Sequence, residues 1–145
     1  SNYSNVLFTR EGALLGTDGT VSFIVPCNFS GSYYLAIRHR SGIVTVSANP
    51  VSFNTPDINY SFDQPNKAYG NNLVQTIDGY YALYIGDVNQ DGVVDVSDMT
   101  PVDNEATEFA VGYRNPDVNG DGIIDTIDMT IVDNNAQSFV AVIVP

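Results

Sequence analysis

The chain has 145 residues and a net charge of −12, from seventeen acidic and five basic side chains, with nine tyrosines, seven phenylalanines and no tryptophan. So acidic a chain is a poor partner for nucleic acid or an anionic membrane, and no apolar run is long enough for a membrane span. One cysteine, Cys27, excludes an internal disulfide framework and reads as a small buried hydrophobe.

The first 86 residues read as sheet. VSFIV, YYLAIRHR, IVTVSA, INYSFD and VQTIDGYYALYI are short β-branched and aromatic segments, cut by the turn signals TDG, FSG, RSG, NTPD and QPNK. That spacing predicts a mainly β N-terminal module, an antiparallel, Ig-like sandwich over residues 1–86. Alternation in the second segment puts Tyr33, Leu35, Ile37 and His39 on one face, and Tyr34, Ala36, Arg38 and Arg40 on the other. Arg38 and Arg40 are expected on a solvated face. Asn2, Asn28 and Asn59 each begin an N-glycosylation triplet. With no starting Met and no signal segment, the chain is expected to be a processed or excised piece.

Residues 87–98, DVNQDGVVDVSD, and 117–128, DVNGDGIIDTID, write one acidic twelve-residue loop twice, thirty residues apart. Asp87, Asn89, Asp91, Asp95 and Asp98 fall at loop positions 1, 3, 5, 9 and 12, and Asp117, Asn119, Asp121, Asp125 and Asp128 repeat them. This is the spacing of a Ca²⁺ loop, since a hard dication takes about six to eight oxygens and alternate residues of a tight loop can aim inward. Val93 and Ile123 at position 7 offer backbone carbonyls, and Gly92 and Gly122 at position 6 allow the sharp turn. Val94 and Ile124 at position 8 are expected to bridge the loops to each other. Asp replaces the longer Glu at position 12, which draws the exiting helix towards the ion. Two Ca²⁺ ions are predicted. Eight of the seventeen acids lie in these loops, so much of the acidity is a metal signature.

The repeat continues as DMTPVDNEATEF and DMTIVDNNAQSF. Met99, Val102, Ala106 and Phe109, matched by Met129, Val132, Ala136 and Phe139, are spaced as one helical face and predict a seam between two short helices. Asp98 and Asp128 sit at the helix starts, and Pro101 is expected in the first turn. The closing run FVAVIVP either folds back as a final core strand or pairs with a neighbouring copy.

A strand-like DGYYALYIG precedes the first loop and a turn, YRNP, the second, so neither loop has an entering helix. A loop followed by a helix, twice in tandem, resembles the dockerin domains of secreted bacterial proteins, most specifically in GDVNQDG and DVNGDG. The resemblance covers Gly86 to about Phe139, and sets a dockerin-like module over residues 87–145 after the sandwich. It implies docking to cohesin modules through helix positions just after each loop. Those positions hold Val96 and Ser97, then Thr126 and Ile127, in place of the family's common Ser/Thr pair. The downstream basic residues are replaced by Asp103, Asn104, Asp133 and Asn134. SGSYYLAIRHR, SANPVSF, NKAYGNN and DGYYALYIGDVNQDG also look like a C-terminal module of large secreted bacterial surface proteins, whose members usually carry strands upstream of the segment matching VLFTREGALL. By that resemblance the sandwich here lacks an upstream strand.

These readings give an extracellular or cell-surface, non-enzymatic chain. The first function is a calcium-stabilised structural or assembly module of a surface or fibre protein, making strand-mediated head-to-tail contacts with copies of itself. The second is a dockerin-type adaptor that places a secreted enzyme on a cohesin scaffold. A third is a carbohydrate-binding module using Tyr33, Tyr34, Tyr80, Tyr81 or Tyr84. Neither nucleic acid nor membrane insertion is expected. A catalytic triad has little support, because the single imidazole, His39, has no nucleophile or carboxylate placed beside it in the sequence.

Overall fold

The computed structural model describes residues 5–16 and 18–145; Asn2 lies outside them. Among the described residues six short strands come first: β1 Ser32–Tyr33, β2 Ala36–His39, β3 Gly42–Val46, β4 Val51–Ser52, β5 Val74–Gln75 and β6 Tyr81–Ala82. Two helices follow, α1 Val96–Thr107 and α2 Thr126–Gln137, offset by the same thirty residues as the loops.

The strands form three separate antiparallel pairs, β1 with β4, β2 with β3, and β5 with β6. Among the described residues this is not the two-layer sandwich that the sequence pattern predicts. VSFIV and INYSFD supply strand-forming residues but lie in no ladder. Among the described residues of 5–16 and 18–25, the Gly16 amide donates to the Thr20 carbonyl in a local turn, while Leu14 and Ile24 are each 90% exposed. The propensity of these segments is real, but it finds no facing strand, and an unpaired segment gains nothing from its pleat. Phe8, Phe29, Tyr33 and Phe53 instead make a chain of edge-to-face contacts. Cys27 is exposed rather than buried, within a turn in which the Phe29 amide donates to the Pro26 carbonyl.

β3 is the best covered strand, with Gly42, Ile43, Thr45 and Val46 all buried. Its start is held against the segment leading into the first loop, where the Ile43 amide donates to the Tyr84 carbonyl and the Gly86 amide to that of Ser41. Ile43 thereby enters a core otherwise made of Val88, Val94, Val102, Val118, Ile124, Val132 and Val140. Gly86 sits at φ 113°, and a Cβ there would come 3.1 Å from Val94. Glycine is the residue that accepts both the angle and the close approach.

Val102 and Val132 are fully buried at the helix seam, and Met99, Met129, Ala106 and Ala136 pack on it. The predicted stripe stops there, because Phe109 and Phe139 are 88% and 89% exposed. Both helices have already ended. Phe109 and Phe139 take left-handed angles, φ 53° and 54°, which swing their rings away from the seam. Pro101 lies in the second turn of α1, not the first, since the helix starts at Val96.

The closing segment folds back within the chain. The Val94 amide donates to the Val140 carbonyl and the Val142 amide to that of Gly92, while Asn72 Nδ2 reaches the Ala141 carbonyl at 3.0 Å. The second loop repeats this pattern with the segment behind α1, through Ile124 to Ala110 and Gly112 to Gly122. Val94 and Ile124 therefore do not bridge the loops to each other. Each loop is paired with the residues that follow the other repeat's helix, and the two repeats clasp.

Candidate metal centre

Short-range amide bonds wind each loop. In the first, Asn89 Oδ1 accepts from the Asp91 amide at 2.8 Å, Asp91 Oδ1 from Val93 at 3.0 Å and Asp95 Oδ1 from Ser97 at 2.7 Å. In the second, Asn119, Asp121 and Asp125 accept from Asp121, Ile123 and Ile127 at 2.8, 2.8 and 2.7 Å. Asp and Asn recur at alternate positions because their short side chains cap the amide two residues ahead.

Position 12 is the keystone of each loop. Asp98 is fully buried; its Oδ1 accepts from the Val88 and Asn89 amides at 2.7 and 3.0 Å, and its Oδ2 from Asp95 at 2.9 Å. Asp128 does the same with Val118, Asn119 and Asp125 at 2.8, 3.0 and 3.0 Å. The Asp98 and Asp95 side chains complete a reciprocal capping box at the start of α1, as Asp128 and Asp125 do for α2. A carboxylate at the first turn is also favoured by the unpaired amides of the helix end. The shorter Asp therefore ties the loop's beginning, its end and its helix together.

Position 1 separates the copies. Asp87 is 2% exposed; its Oδ2 accepts from the Gly92 amide at 3.1 Å, while its Oδ1 is buried with no hydrogen-bond partner among the described residues. Burial, followed by the opposing amide bond and the nearby charges of Asp98 and Asp91, leaves the Asp87 pKa above its ordinary value. A buried carboxylate oxygen without a donor is costly unless a cation satisfies it. Asp117 instead accepts from the Gly120 amide on Oδ1 at 2.9 Å and faces Arg40 Nη2 at 3.3 Å on Oδ2. The half-buried Asp95 is shifted down, chiefly by its side-chain hydrogen bond with Ser97 and then by the backbone amide of Ser97.

The side chains that would hold a dication are the ones that the loop spacing nominates, Asp87, Asn89, Asp91, Asp95 and Asp98, then Asp117, Asn119, Asp121, Asp125 and Asp128, with the Val93 and Ile123 carbonyls at position 7. Among the described residues, however, no three acidic, imidazole or thiol side chains stand close enough to form a ready metal cluster. The carboxylates are instead engaged by backbone amides, and Asn89 and Asn119 each turn an amide donor onto Asp91 or Asp121 at 2.9 Å. The fit rests on the all-oxygen donor set and the orphaned Asp87 oxygen.

Other predicted groups lie apart from the loops. Asn28 and Asn59 are exposed. Tyr80 is exposed, Tyr81 and Tyr84 are half-buried, Tyr33 belongs to the edge-to-face aromatic chain, and Tyr34 packs on Tyr69. His39 is half-buried with Nδ1 3.5 Å from Ser41 Oγ. Arg38 is exposed as predicted, but Arg40 is not; it reaches the second loop, a contact that sequence reasoning missed.

Residues 85–136 match the family model of the Dockerin type I domain. The matched stretch is just over a third of the chain and spans both loops and nearly all of both helices, and it is a dockerin-like calcium-loop repeat. No curated protein and no solved structure matches the chain. Among the described residues, no helix is long and apolar enough to cross a membrane.

Proposed function

We propose that the chain is a non-enzymatic, extracellular docking module in which two Ca²⁺ ions lock the paired loops and helices into a protein-binding surface. The buried, donorless Oδ1 of Asp87, inside a twice-written oxygen loop, is the observation that carries the metal assignment. The ions take up the carboxylate charge that otherwise crowds each loop, and fix α1 and α2 through Asp98 and Asp128. The partner is a cohesin-type scaffold or surface protein, in keeping with the likeness to Dockerin type I domains. Val96 is 75% exposed and Ile127 is 54% exposed just after the loops, so the surface on offer is more apolar than the family's usual Ser/Thr pair. Binding of the full chain to a purified type I cohesin, compared in Ca²⁺ and in EGTA, tests this reading. Calcium-dependent binding lost with Asp91→Ala or Asp121→Ala supports it; equal binding in EGTA overturns it.

A second reading makes the chain a structural segment that joins copies of itself through strands. The described residues of 5–16 and 18–25, which lie in no ladder and expose Leu14 and Ile24, favour it as an edge on which a strand could add. Concentration-dependent oligomers in light scattering would support that role, and a strict monomer would remove it. The Tyr side chains give less support to carbohydrate binding, since Tyr33 and Tyr34 are engaged edge-on with other rings.

A further inference from the structure

Arg40 lies at the tip of the β2–β3 hairpin, between His39 and Gly42. Its side chain is only 12% exposed. Nη1 donates to the Arg114 carbonyl, Nη2 stands 3.3 Å from Asp117 Oδ2, and the guanidinium lies 4.1 Å from the centre of the Tyr113 ring. Two residues of the lead-in, Tyr113 and Arg114, and position 1 of the second loop, Asp117, therefore hold one cation. Its Nε is buried and has no partner among the described residues, so the charge is incompletely satisfied there.

The same hairpin tip touches the first loop without a charge. Gln90 Nε2 donates to the carbonyls of Arg40, Gly42 and Asp87 at 3.2, 3.4 and 2.7 Å. The Asp87 carboxylate is left with one oxygen free for a metal, while both oxygens of Asp117 are engaged. Two loops of nearly identical sequence thus differ at position 1 because of a residue about eighty positions upstream.

We propose that Arg40 is an internal competitor for the second metal site, an inference that rests on the calcium reading of the loops. The guanidinium occupies the carboxylate that a dication needs and adds a like charge beside it. The second site is therefore weaker than the first, and the loops fill in order. By linkage, the factor by which Arg40 weakens calcium binding is the factor by which calcium weakens the hold of Arg40 on Asp117. Filling the second site releases the hairpin tip, so the N-terminal strands register calcium occupancy.

The test is calorimetric titration of the full chain with CaCl₂. In an Asp91→Ala background, which leaves the second loop to be read alone, Arg40→Gln raises its calcium affinity about tenfold, within the usual range for coupled sites. In the mirror background, Asp121→Ala, the same substitution leaves the first loop's affinity within about twofold, since coupling is local. Calcium also speeds tryptic cleavage after Arg40 in the Asp91→Ala chain. Unchanged or weaker binding at the second loop in Arg40→Gln overturns the proposal, because the guanidinium would then be orienting Asp117 for the metal. Should Arg40→Gln fail to fold, Tyr113→Leu, at a solvent-exposed ring, loosens the guanidinium and raises the affinity by a smaller factor; no rise there overturns it equally. A wild-type chain that binds no calcium at either loop defeats the metal reading itself, which is a different result from two bound ions with a silent Arg40.

Discussion

Asp98→Ala removes one carboxylate and leaves three amides to be satisfied. The Val88 amide is buried, and leaving such a donor unpaired costs about 1–3 kcal/mol. The Asp95 amide loses its half of the capping box, worth about 1 kcal/mol. The Asn89 amide is nearer to water, and removing a charge that also raises the Asp87 pKa returns part of the loss. The balance is a destabilisation of about 2–4 kcal/mol before any metal is considered. Urea unfolding followed by far-UV circular dichroism in EGTA reads it directly, as a midpoint lowered by about 1–2 M at a slope typical of small proteins. In saturating Ca²⁺ the gap widens, because each intact site adds about 2.7 kcal/mol at 100 times its Kd. A loss below about 0.5 kcal/mol in EGTA would refute the view that position 12 holds the loop together without metal.

Val132→Ala empties a fully buried position at the helix seam and should cost about 2–3 kcal/mol, measured by the same unfolding curves. Pro101→Ile writes the second copy's Ile131 into α1 and restores an amide donor in the second turn; a gain of about 1–3 kcal/mol in thermal or urea unfolding is expected, and a loss would contradict the helix boundary. The His39 pKa is lowered by burial first and by the Arg40 charge second, so folding favours its neutral form. That contribution is intact above its ordinary value of 6.5 and is lost as pH falls below it towards the lower folded pKa; His39→Gln should flatten the stability profile over that interval.

The two loops and their helices were legible because the amide-capping Asp or Asn, the type that a Ca²⁺ loop would also need, stands at nearly every second position, and the pattern is repeated thirty residues later. The clasp between repeats was not. Val94 meets Val140, and Ile124 meets Ala110, through backbone groups that every residue carries, so position 8 reveals an apolar need but not its partner. Phe109 and Phe139 continue the helical spacing of the seam after the helix has stopped, and periodicity alone does not mark that stop. Arg40 looked like the mate of Arg38 by simple alternation, but the β2–β3 register shifts between Ile37 and His39 and the turn follows at once, which frees Arg40 from that face. In the N-terminal half, β-branched composition identified segments that favour an extended backbone. What it could not supply was a neighbour for each of them, and VSFIV and INYSFD remain outside any ladder among the described residues.

Whether two divalent ions lock this fold is answered most directly by calorimetric titration of the purified, chelator-treated chain with CaCl₂, with Asp91→Ala and Asp121→Ala as partners. The loops described here predict two ions for the wild type and one for each variant, with a melting temperature that rises with calcium in all three. No heat of binding, or a melting temperature unmoved by either calcium or EGTA, would contradict the assignment.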